Sequence, residues 1–245
     1  VSIWVLVCVL LVAGGVVVVW YMRKKREFLR QRFFQQINRV RMENLRSRIS
    51  PHFTFNVLGR EINQFNGSEE VKHNLMELVK YLRRSLELTE KLSVSLQDEL
   101  DFVRTYIELE RGRVGEDFVA TITVEDGLDA TRIMIPSMIV QIPVENAIKH
   151  GLAGKDGKKE LMVYVSRETN GIRITVTDNG RGYLPQVVSA TRGTGTGLKV
   201  LYQTIQLLNT KNKSDKIRFN ITNRSDGQTG TEVSVYIPFR FSYDL

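Results

Sequence analysis

Hydrophobic positions divide the chain into an uninterrupted apolar segment, a stretch with helical periodicity and a stretch in which strand and helix periods alternate. Residues 1–22 contain no charged side chain, and about 20 such residues span a bilayer core as a helix. Trp4 and Trp20 lie near its ends, where aromatic belts occur, and four basic residues follow at 23–26. The pattern predicts one membrane helix at 1–22, with the chain after residue 26 on the cytoplasmic side.

Helical periodicity continues through residues 23–64, which contain one proline and no glycine before Gly59. Ser68 marks the start of a second helix, over about residues 69–88. Ser95 and Asp98 have the spacing of a capping box and predict a third helix that runs to about residue 111. A helical hairpin that is apolar on one side most simply becomes a four-helix bundle by dimerising.

The period changes after residues 112–115, which predict a domain boundary. A helix is expected at 137–150 and an amphipathic helix at about 198–208. Asn170-Gly171 and Asp226-Gly227 are hairpin signals. Strands are expected at 118–124, 160–167, 172–177, 217–222 and 232–237. These elements predict an α+β domain over residues 116–245, with a mixed sheet covered by helices.

The net charge of +8 is concentrated in one segment. Residues 23–48 contain ten Lys or Arg and two Glu, and the rest of the chain is balanced. A nucleic-acid partner is therefore not expected, because the folded body carries no basic excess. The basic segment is expected to face water or anionic lipid. The single cysteine, Cys8, excludes a disulfide framework within one chain.

A histidine and an asparagine share one face of the first long helix. His52 and Asn56 are four residues apart, and Pro51 should bend the helix beside them. A neutral imidazole nitrogen can attack a phosphorus atom, and imidazole titrates near neutrality. The pair predicts a nucleophile at His52, with a surface histidine on a coiled-coil edge as the alternative.

The helix at 137–150 ends in a second polar cluster. Glu145 and Lys149 are four residues apart, as are Asn146 and His150. The amide oxygen of Asn146 can bind Mg²⁺, Lys149 and His150 can contact phosphate, and Glu145 can orient or deprotonate a nucleophile. The alternative is a solvated helix face.

Glycines surround an aspartate in the third cluster. Asp178 ends a predicted strand, where its carboxylate can accept a hydrogen bond from an adenine amino group. Gly180 and Gly182 allow close approach of the backbone to a ligand. Further glycines precede a helix whose first N–H groups can bind phosphate: Gly193, Gly195 and Gly197. The spacing is neither that of a P-loop nor that of a dinucleotide fingerprint, and a flexible surface loop is the alternative.

Taken together, these residues resemble the GHKL ATPases and, among them, the LytS-like sensor histidine kinases of bacteria. Residues 145–151 resemble the N box of the family, and residues 51–56 its phospho-acceptor motif. Residues 178–182 and 193–199 resemble its first and second glycine boxes. The resemblance covers residues 44–240.

The resemblance implies an organisation in four segments. A transmembrane helix at 1–22 would be followed by a basic juxtamembrane signalling helix at 23–43. Residues 44–111 would form the dimerisation and histidine phospho-acceptor helices, and residues 116–245 a Bergerat-type α/β sandwich that binds ATP. The protein would then lie in the inner (cytoplasmic) membrane with its kinase part in the cytoplasm.

The resemblance also implies ATP and Mg²⁺ as ligands. Asn146 would hold Mg²⁺, Asp178 would read adenine, and residues 183–192 would form a mobile lid. Thr231 would help to bind adenine through water. The other residues implied at the nucleotide are Lys149, His150, Gly180, Gly182, Gly193, Gly195, Gly197 and Leu198.

The chain departs from the family pattern in a few places. Val200 stands where many relatives have Asn, and Pro143 lies inside the N-box helix. Phe53 follows the acceptor histidine, where other histidine kinases have an acidic residue, so Glu145 becomes the candidate general base.

The implied activity is autophosphorylation of His52 from Mg-ATP, followed by transfer to an aspartate of a response regulator. Two alternatives are a GHKL ATPase that drives a conformational clamp and a catalytically inactive membrane scaffold. The first predicts hydrolysis without phosphohistidine. The second predicts loss of Asn146, Asp178 or the glycines, all of which are present.

Overall fold

The structure of the chain is a computed structural model that divides into two compact units, residues 1–40 with residue 245, and residues 41–244. In the first unit residues 14–25 are helical, and Lys24 Nζ lies 4.8 Å from the centre of the Trp20 ring. Within the described part of the chain, no helix has both the length and the apolar character needed to cross a membrane. The first thirteen residues of the span predicted at 1–22 lie outside that part. The described residues are 14–25, 27–28, 32, 77–78, 80–82, 84–85, 87–88, 91–183, 196–210, 212 and 214–243.

Helix α1, Leu96–Val114, is the third helix of the sequence prediction and starts where the capping box predicts. The Ser95 hydroxyl accepts a hydrogen bond from the Asp98 N–H at 3.0 Å and donates to Asp98 Oδ2 at 2.8 Å. The described residues between 77 and 88 are also helical, as expected for the second helix. The buried face of α1 is formed by Leu96, Glu99, Leu100, Phe102, Val103, Tyr106, Ile107, Glu110 and Val114.

A five-stranded mixed sheet forms the centre of the second unit, with strand order β2-β4-β5-β7-β6. Its strands are β2 (Phe118–Val124), β4 (Lys159–Glu168), β5 (Gly171–Asp178), β6 (Arg218–Asn223) and β7 (Thr231–Pro238). Strands β2 and β4 are parallel, and the other neighbours are antiparallel. All five predicted strands, the mixed sheet and its covering helices are confirmed.

Gly171 begins β5 and follows a two-residue turn at 169–170, because it pairs with Glu168 of β4. The hairpin signal was therefore correct, with the turn one residue earlier. A Cβ on Gly171 would overlap the Ile237 carbonyl oxygen and lie 2.9 Å from Pro238 Cα of β7. The glycine is needed for close approach of the neighbouring strand and not for the turn.

Two short strands, β1 (Ser93–Ser95) and β3 (Met134–Pro136), form a separate antiparallel pair that the sequence did not predict. Each has three residues, which is too short for a recognisable alternation. The pair joins the start of α1 to the residues before the N box.

The helix expected at 137–150 is shorter and changes type. Helix α2 comprises Gln141–Asn146, and a π-helical turn follows at Ala147–Gly151. Pro143 fits in the first turn of α2, where N–H groups have no partner within the helix. The later amphipathic helix, α3, is confirmed at Thr196–Asn209 and packs against α2.

The core lies between one face of the sheet and the helices. Alternate residues of the central strands are almost fully buried, as the period of two predicts. Val200 of α3 also belongs to this core. The strand residues on the buried face are Leu161, Val163, Val165, Ile172, Ile174, Val176, Val233, Val235 and Ile237.

Candidate functional site

The N-box side chains lie where α2 passes into the π-helical turn. The Asn146 side-chain nitrogen donates to the Ile142 carbonyl at 2.7 Å, one turn earlier. This bond fixes the amide and does not use the oxygen Oδ1, which is the hard ligand that Mg²⁺ accepts. Glu145 forms an ion pair with Lys149, as the four-residue spacing predicts. Turns of π-helix inside α-helices occur frequently at functional sites.

His150 is half-buried and lies near positive charge. Burial lowers the pKa of His150 from its ordinary value, and the neighbouring Lys149 lowers it further. Arg181 holds the end of the π-helical turn, since its Nε donates to the His150 carbonyl at 2.9 Å and a terminal nitrogen donates to the Ala153 carbonyl at 3.3 Å. At neutral pH the imidazole is therefore mainly uncharged and can act as a hydrogen-bond partner.

Asp178, at the end of β5, is 4% exposed and has its carboxylate fixed by the backbone. Its Oδ1 accepts from the Gly180 N–H at 2.8 Å and from the Thr231 N–H at 3.4 Å. Burial raises the pKa of Asp178, and these hydrogen bonds oppose that shift. The second oxygen, Oδ2, is the one that these backbone bonds do not use, so it can accept from a ligand.

Glycines allow the end of the π-helical turn to approach Asp178 closely. A Cβ on Gly151 would lie 2.8 Å from Asp178 Oδ1 and 3.0 Å from Oδ2. A Cβ on Gly180 would overlap the Gly151 carbonyl. A Cβ on Gly230, which has φ 139, would likewise overlap the backbone carbonyl oxygen of Asp178. The predicted N box and first glycine box therefore meet at the Asp178 carboxylate.

Gly182 has a conformation that other residues rarely adopt, with φ 85. It leads to Tyr183, whose N–H donates to Asn223 Oδ1 at 2.6 Å. A Cβ on Gly182 would lie 2.8 Å from the same oxygen. The start of the segment predicted to be a lid is thus anchored to the end of β6.

The arrangement combines an acceptor oxygen at Asp178, an amide oxygen at Asn146 and basic groups at Lys149 and His150. Such a set can bind a ligand that has an amino group at one end and a cation-bound phosphate at the other. A cluster of three or more His, Cys, Asp or Glu does not occur among the described residues.

Some predicted site residues can be placed and others cannot. Gly197 and Leu198 lie in the first turn of α3, so Gly197 is within the helix and not before it. Four predicted residues lie outside the described part of the chain: His52, Asn56, Gly193 and Gly195. The structure brings together Glu145, Asn146, Lys149, His150, Asp178, Gly180, Gly182 and Thr231.

Sequence reasoning missed several residues that shape the site. Glu99 of α1 is fully buried, and its carboxylate accepts hydrogen bonds from the backbone at the start of α2. Its position on the apolar stripe of α1 was an available signal, since an acid on a buried face needs a partner. Arg181 and Asn223 carried no comparable signal, because their bonds join segments distant in sequence.

Two family profiles match the chain. The histidine kinase family matches residues 40–118, and the family described as histidine kinase-, DNA gyrase B- and HSP90-like ATPase matches residues 131–240. The second match gives residues 131–240 the α/β fold of the GHKL ATPases, with a sheet and covering helices.

Two curated proteins are similar to this chain. The sensor histidine kinase YpdA of Escherichia coli is 28% identical over 205 residues, which are 83% of this chain and 35% of that protein. The sensor histidine kinase/phosphatase LytS of Staphylococcus aureus is 32% identical over 197 residues, 77% of this chain and 33% of that protein. The chain spans about a third of the length of these relatives.

Among solved structures, the histidine kinase domain of a blue-light activated histidine kinase from Erythrobacter litoralis aligns with 84% of this chain and 94% of that chain. The TM-score is 0.47 and the sequence identity is 15%.

Proposed function

Because the chain belongs to the histidine kinases and is LytS-like within them, we propose that it uses Mg-ATP to phosphorylate its own His52. The phosphoryl group then passes to an aspartate of a response regulator. The observation that carries this proposal is the Asp178 carboxylate, buried at the end of β5 against the π-helical turn with one oxygen held by backbone N–H groups. The two alternatives are not favoured, because a histidine kinase region precedes the ATPase domain.

Adenine is expected on the Asp178 side of the site. The ATPase family of residues 131–240 implies ATP binding. Asp178 Oδ2 would accept a hydrogen bond from the adenine amino group, and the Thr231 hydroxyl would reach the same edge through water. A charged acceptor strengthens such a bond to about 1.5–3 kcal/mol.

Phosphate is expected on the Asn146 side. Asn146 Oδ1 would contact the Mg²⁺ that ATP carries, and the imidazole of His150 and ammonium of Lys149 would meet phosphate oxygens. Backbone N–H groups at the start of α3, with Gly197 and Leu198, would bind phosphate as helix starts do. The glycines of both boxes, including Gly193 and Gly195, would let the backbone close over the nucleotide.

Phosphoryl transfer requires positioning and charge neutralisation more than covalent chemistry by the protein. A nitrogen of His52 would attack the γ-phosphorus; the new N–P bond forms as the bond to the bridging oxygen breaks and ADP leaves. Glu145 would orient the imidazole or accept its proton, and Asn56 would hold the transferred group. Glu145 is restrained by Lys149, which keeps its carboxylate near the phosphate side.

The remaining parts of the proposal concern the whole protein. Residues 44–111 would pair with a second copy as a four-helix bundle, and residues 1–22 would cross the inner membrane once. The basic helix at 23–43 would carry the signal from the membrane to His52. A response regulator is the expected acceptor, and no nucleic-acid partner is expected.

The test is acid-labile labelling of the full chain. The 245-residue protein in detergent is incubated with γ-labelled ATP and Mg²⁺, and the bound label is tested for loss in acid. We expect label on the wild type and none on His52→Gln, which should still bind ATP. Label that survives His52→Gln would reject this acceptor.

A second variant tests the Mg²⁺ ligand. Asn146→Asp replaces the donor that bonds to the Ile142 carbonyl with a second oxygen, which repels it. We expect both labelling and Mg²⁺-dependent ATP binding to fall at least tenfold, a loss of about 1.4 kcal/mol. The matched control is Asn220→Asp on exposed β6, which should behave as the wild type. Equal activity of both variants would remove Asn146 from the site.

A further inference from the structure

Hydrogen bonds in both directions join the segment around the start of α1 to the segment that precedes α2. The first N–H groups of α1 donate to carbonyls at 130 and 133, at 3.0 and 2.8 Å. In return the Ser137 N–H donates to the Leu92 carbonyl at 3.1 Å, and the Ser137 hydroxyl donates to the Leu88 carbonyl. Strands β1 and β3 pair between these contacts. Residue 88, residues 91–99 and residues 130–141 thus form one connected structure, which we name the junction.

Glu99 is the charged group at the centre of the junction. Its side chain is fully buried, with 0% exposure. Glu99 Oε2 accepts from the Met138 N–H at 2.9 Å, and Oε1 accepts from the N–H groups of Val140 and Gln141, both at 3.1 Å. A carboxylate at this position satisfies N–H groups at the start of α2 and complements the positive end of its dipole.

The backbone beside Glu99 has a conformation that needs support. Met138 has φ 70, the one positive φ of a non-glycine residue in the described part of the chain. Such a conformation is strained for a residue with a side chain and persists only when its surroundings hold it. The bond from the Met138 N–H to Glu99 Oε2 supplies such support, three residues before α2 begins.

Helix α2 is short, so its start determines the position of its end. Asn146 lies five residues after Gln141 and Glu145 lies four residues after it, little more than one turn. Helices α1 and α2 pack against each other, and Tyr106 of α1 lies near Glu145 there, since burial and then the negative charge of Glu145 raise the pKa of Tyr106. Helix α1 therefore faces α2 from its first turn to the N box.

We propose that Glu99 is a positioning residue that sets the start of α2 and thereby aligns Glu145 and Asn146 with the nucleotide phosphate. It would couple movement of the helical hairpin to the phosphate side of the site while leaving the adenine side unchanged. The inference rests on the proposed kinase function and goes beyond it by assigning a residue distant from the ligand. Glu99 is fully buried against the start of α2 and acts through Glu145 and Asn146, so it is a positioning residue and not a catalytic one.

The decisive substitution is Glu99→Gln, which keeps shape and removes one acceptor. The Met138, Val140 and Gln141 groups that Glu99 accepts from are all N–H donors, so a glutamine NH₂ in the same place faces at least one donor. For the full chain we expect the affinity for ADP without Mg²⁺ to stay within about twofold of the wild type. The rate of phosphohistidine formation at saturating Mg-ATP should fall about tenfold to a hundredfold, as for a small misplacement of reacting groups.

Two controls separate positioning from lost stability. Glu108→Gln removes a carboxylate from the exposed face of the same helix and should leave the rate unchanged. Val103→Ala removes buried methyl groups from the α1 core and lowers the thermal midpoint without touching α2 backbone bonds. At a temperature where every variant is folded, only Glu99→Gln should lose rate.

The outcomes distinguish the inference from the proposed function. A wild type that neither binds ADP nor labels His52 defeats the proposed function. A wild type that does both, beside a Glu99→Gln variant with an unchanged rate, defeats the inference alone. If Glu99→Gln does not fold, Glu99→Asp keeps the charge and draws it back by one methylene. That variant should keep its affinity for ADP and lose less of the rate of phosphohistidine formation than Glu99→Gln does. Equal losses of ADP affinity and of rate would overturn the assignment.

Discussion

Replacing Asp178 by asparagine should weaken ATP binding without weakening the fold. In Asp178→Asn the amide oxygen can still accept from the Gly180 and Thr231 N–H groups, as Oδ1 does in the wild type. The NH₂ group then takes the place of Oδ2 and meets the adenine amino group donor to donor. A hydrogen bond to a charged acceptor contributes about 1.5–3 kcal/mol, so the affinity should fall about 10- to 150-fold.

Stability should respond to Asp178→Asn in the opposite sense. Burial raises the folded-state pKa of Asp178 above its unfolded value of about 3.9. Its contribution to stability is therefore fully present below pH 3.9 and is lost as the pH rises through the folded pKa. Asparagine does not ionise, so at neutral pH the variant should be at least as stable as the wild type. Its advantage should grow as the pH rises from about 4.

Calorimetric titration with ATP and thermal unfolding at several pH values measure these two effects. Asp129→Asn, on an exposed turn, is the matched control and should keep wild-type affinity. Binding by Asp178→Asn within about threefold of the wild type would refute Asp178 as the adenine ligand. A fall in thermal midpoint larger than the roughly 2–4 °C that corresponds to 1 kcal/mol would refute the stability argument.

The remaining predictions concern local features. Gly180→Ala should destabilise the domain by about 1–3 kcal/mol in urea unfolding, because its Cβ would overlap the Gly151 carbonyl; Gly154→Ala, at φ 69 but in open space, should cost less. Ser95→Ala should cost about 1 kcal/mol by removing the cap of α1, and a change below 0.3 kcal/mol would contradict that role. His150→Gln should reduce the stability lost on acidification below about pH 6.5, because burial lowers the folded-state pKa of His150. The fall in urea midpoint from pH 7.5 to pH 5.5 should therefore be smaller in the variant than in the wild type, and an equal fall in both proteins would contradict this.

Elements with a local cause could be predicted from the sequence. Ser95 and Asp98 begin α1 because a cap needs only two residues three apart, and the hairpin of β4 and β5 follows from turn residues between alternating runs. The N box and the first glycine box were recognised as separate motifs. In the structure they lie next to each other, because Gly151 and Gly180 both approach the Asp178 carboxylate closely.

Non-local contacts could not be predicted in the same way. Strands β1 and β3 are about 40 residues apart in the chain, and neither has enough residues to show a period. The left-handed Met138 donates its N–H to the Glu99 carboxylate, and α2 packs against α1, which no local pattern reveals. Phosphate-side roles for His52, Asn56 and the second glycine box stay predictions.

The π-helical turn changes the hydrogen-bond spacing of the helix that leads from Asn146 to Gly151. Its closing bond runs from the Leu152 N–H to the Ala147 carbonyl at 2.8 Å, five residues back instead of four. Deleting one residue inside the turn would restore the α-helical spacing and rotate every later side chain by about 100° around the axis. Gly151 would then turn away from Asp178, so length as well as residue identity is constrained between Asn146 and Leu152.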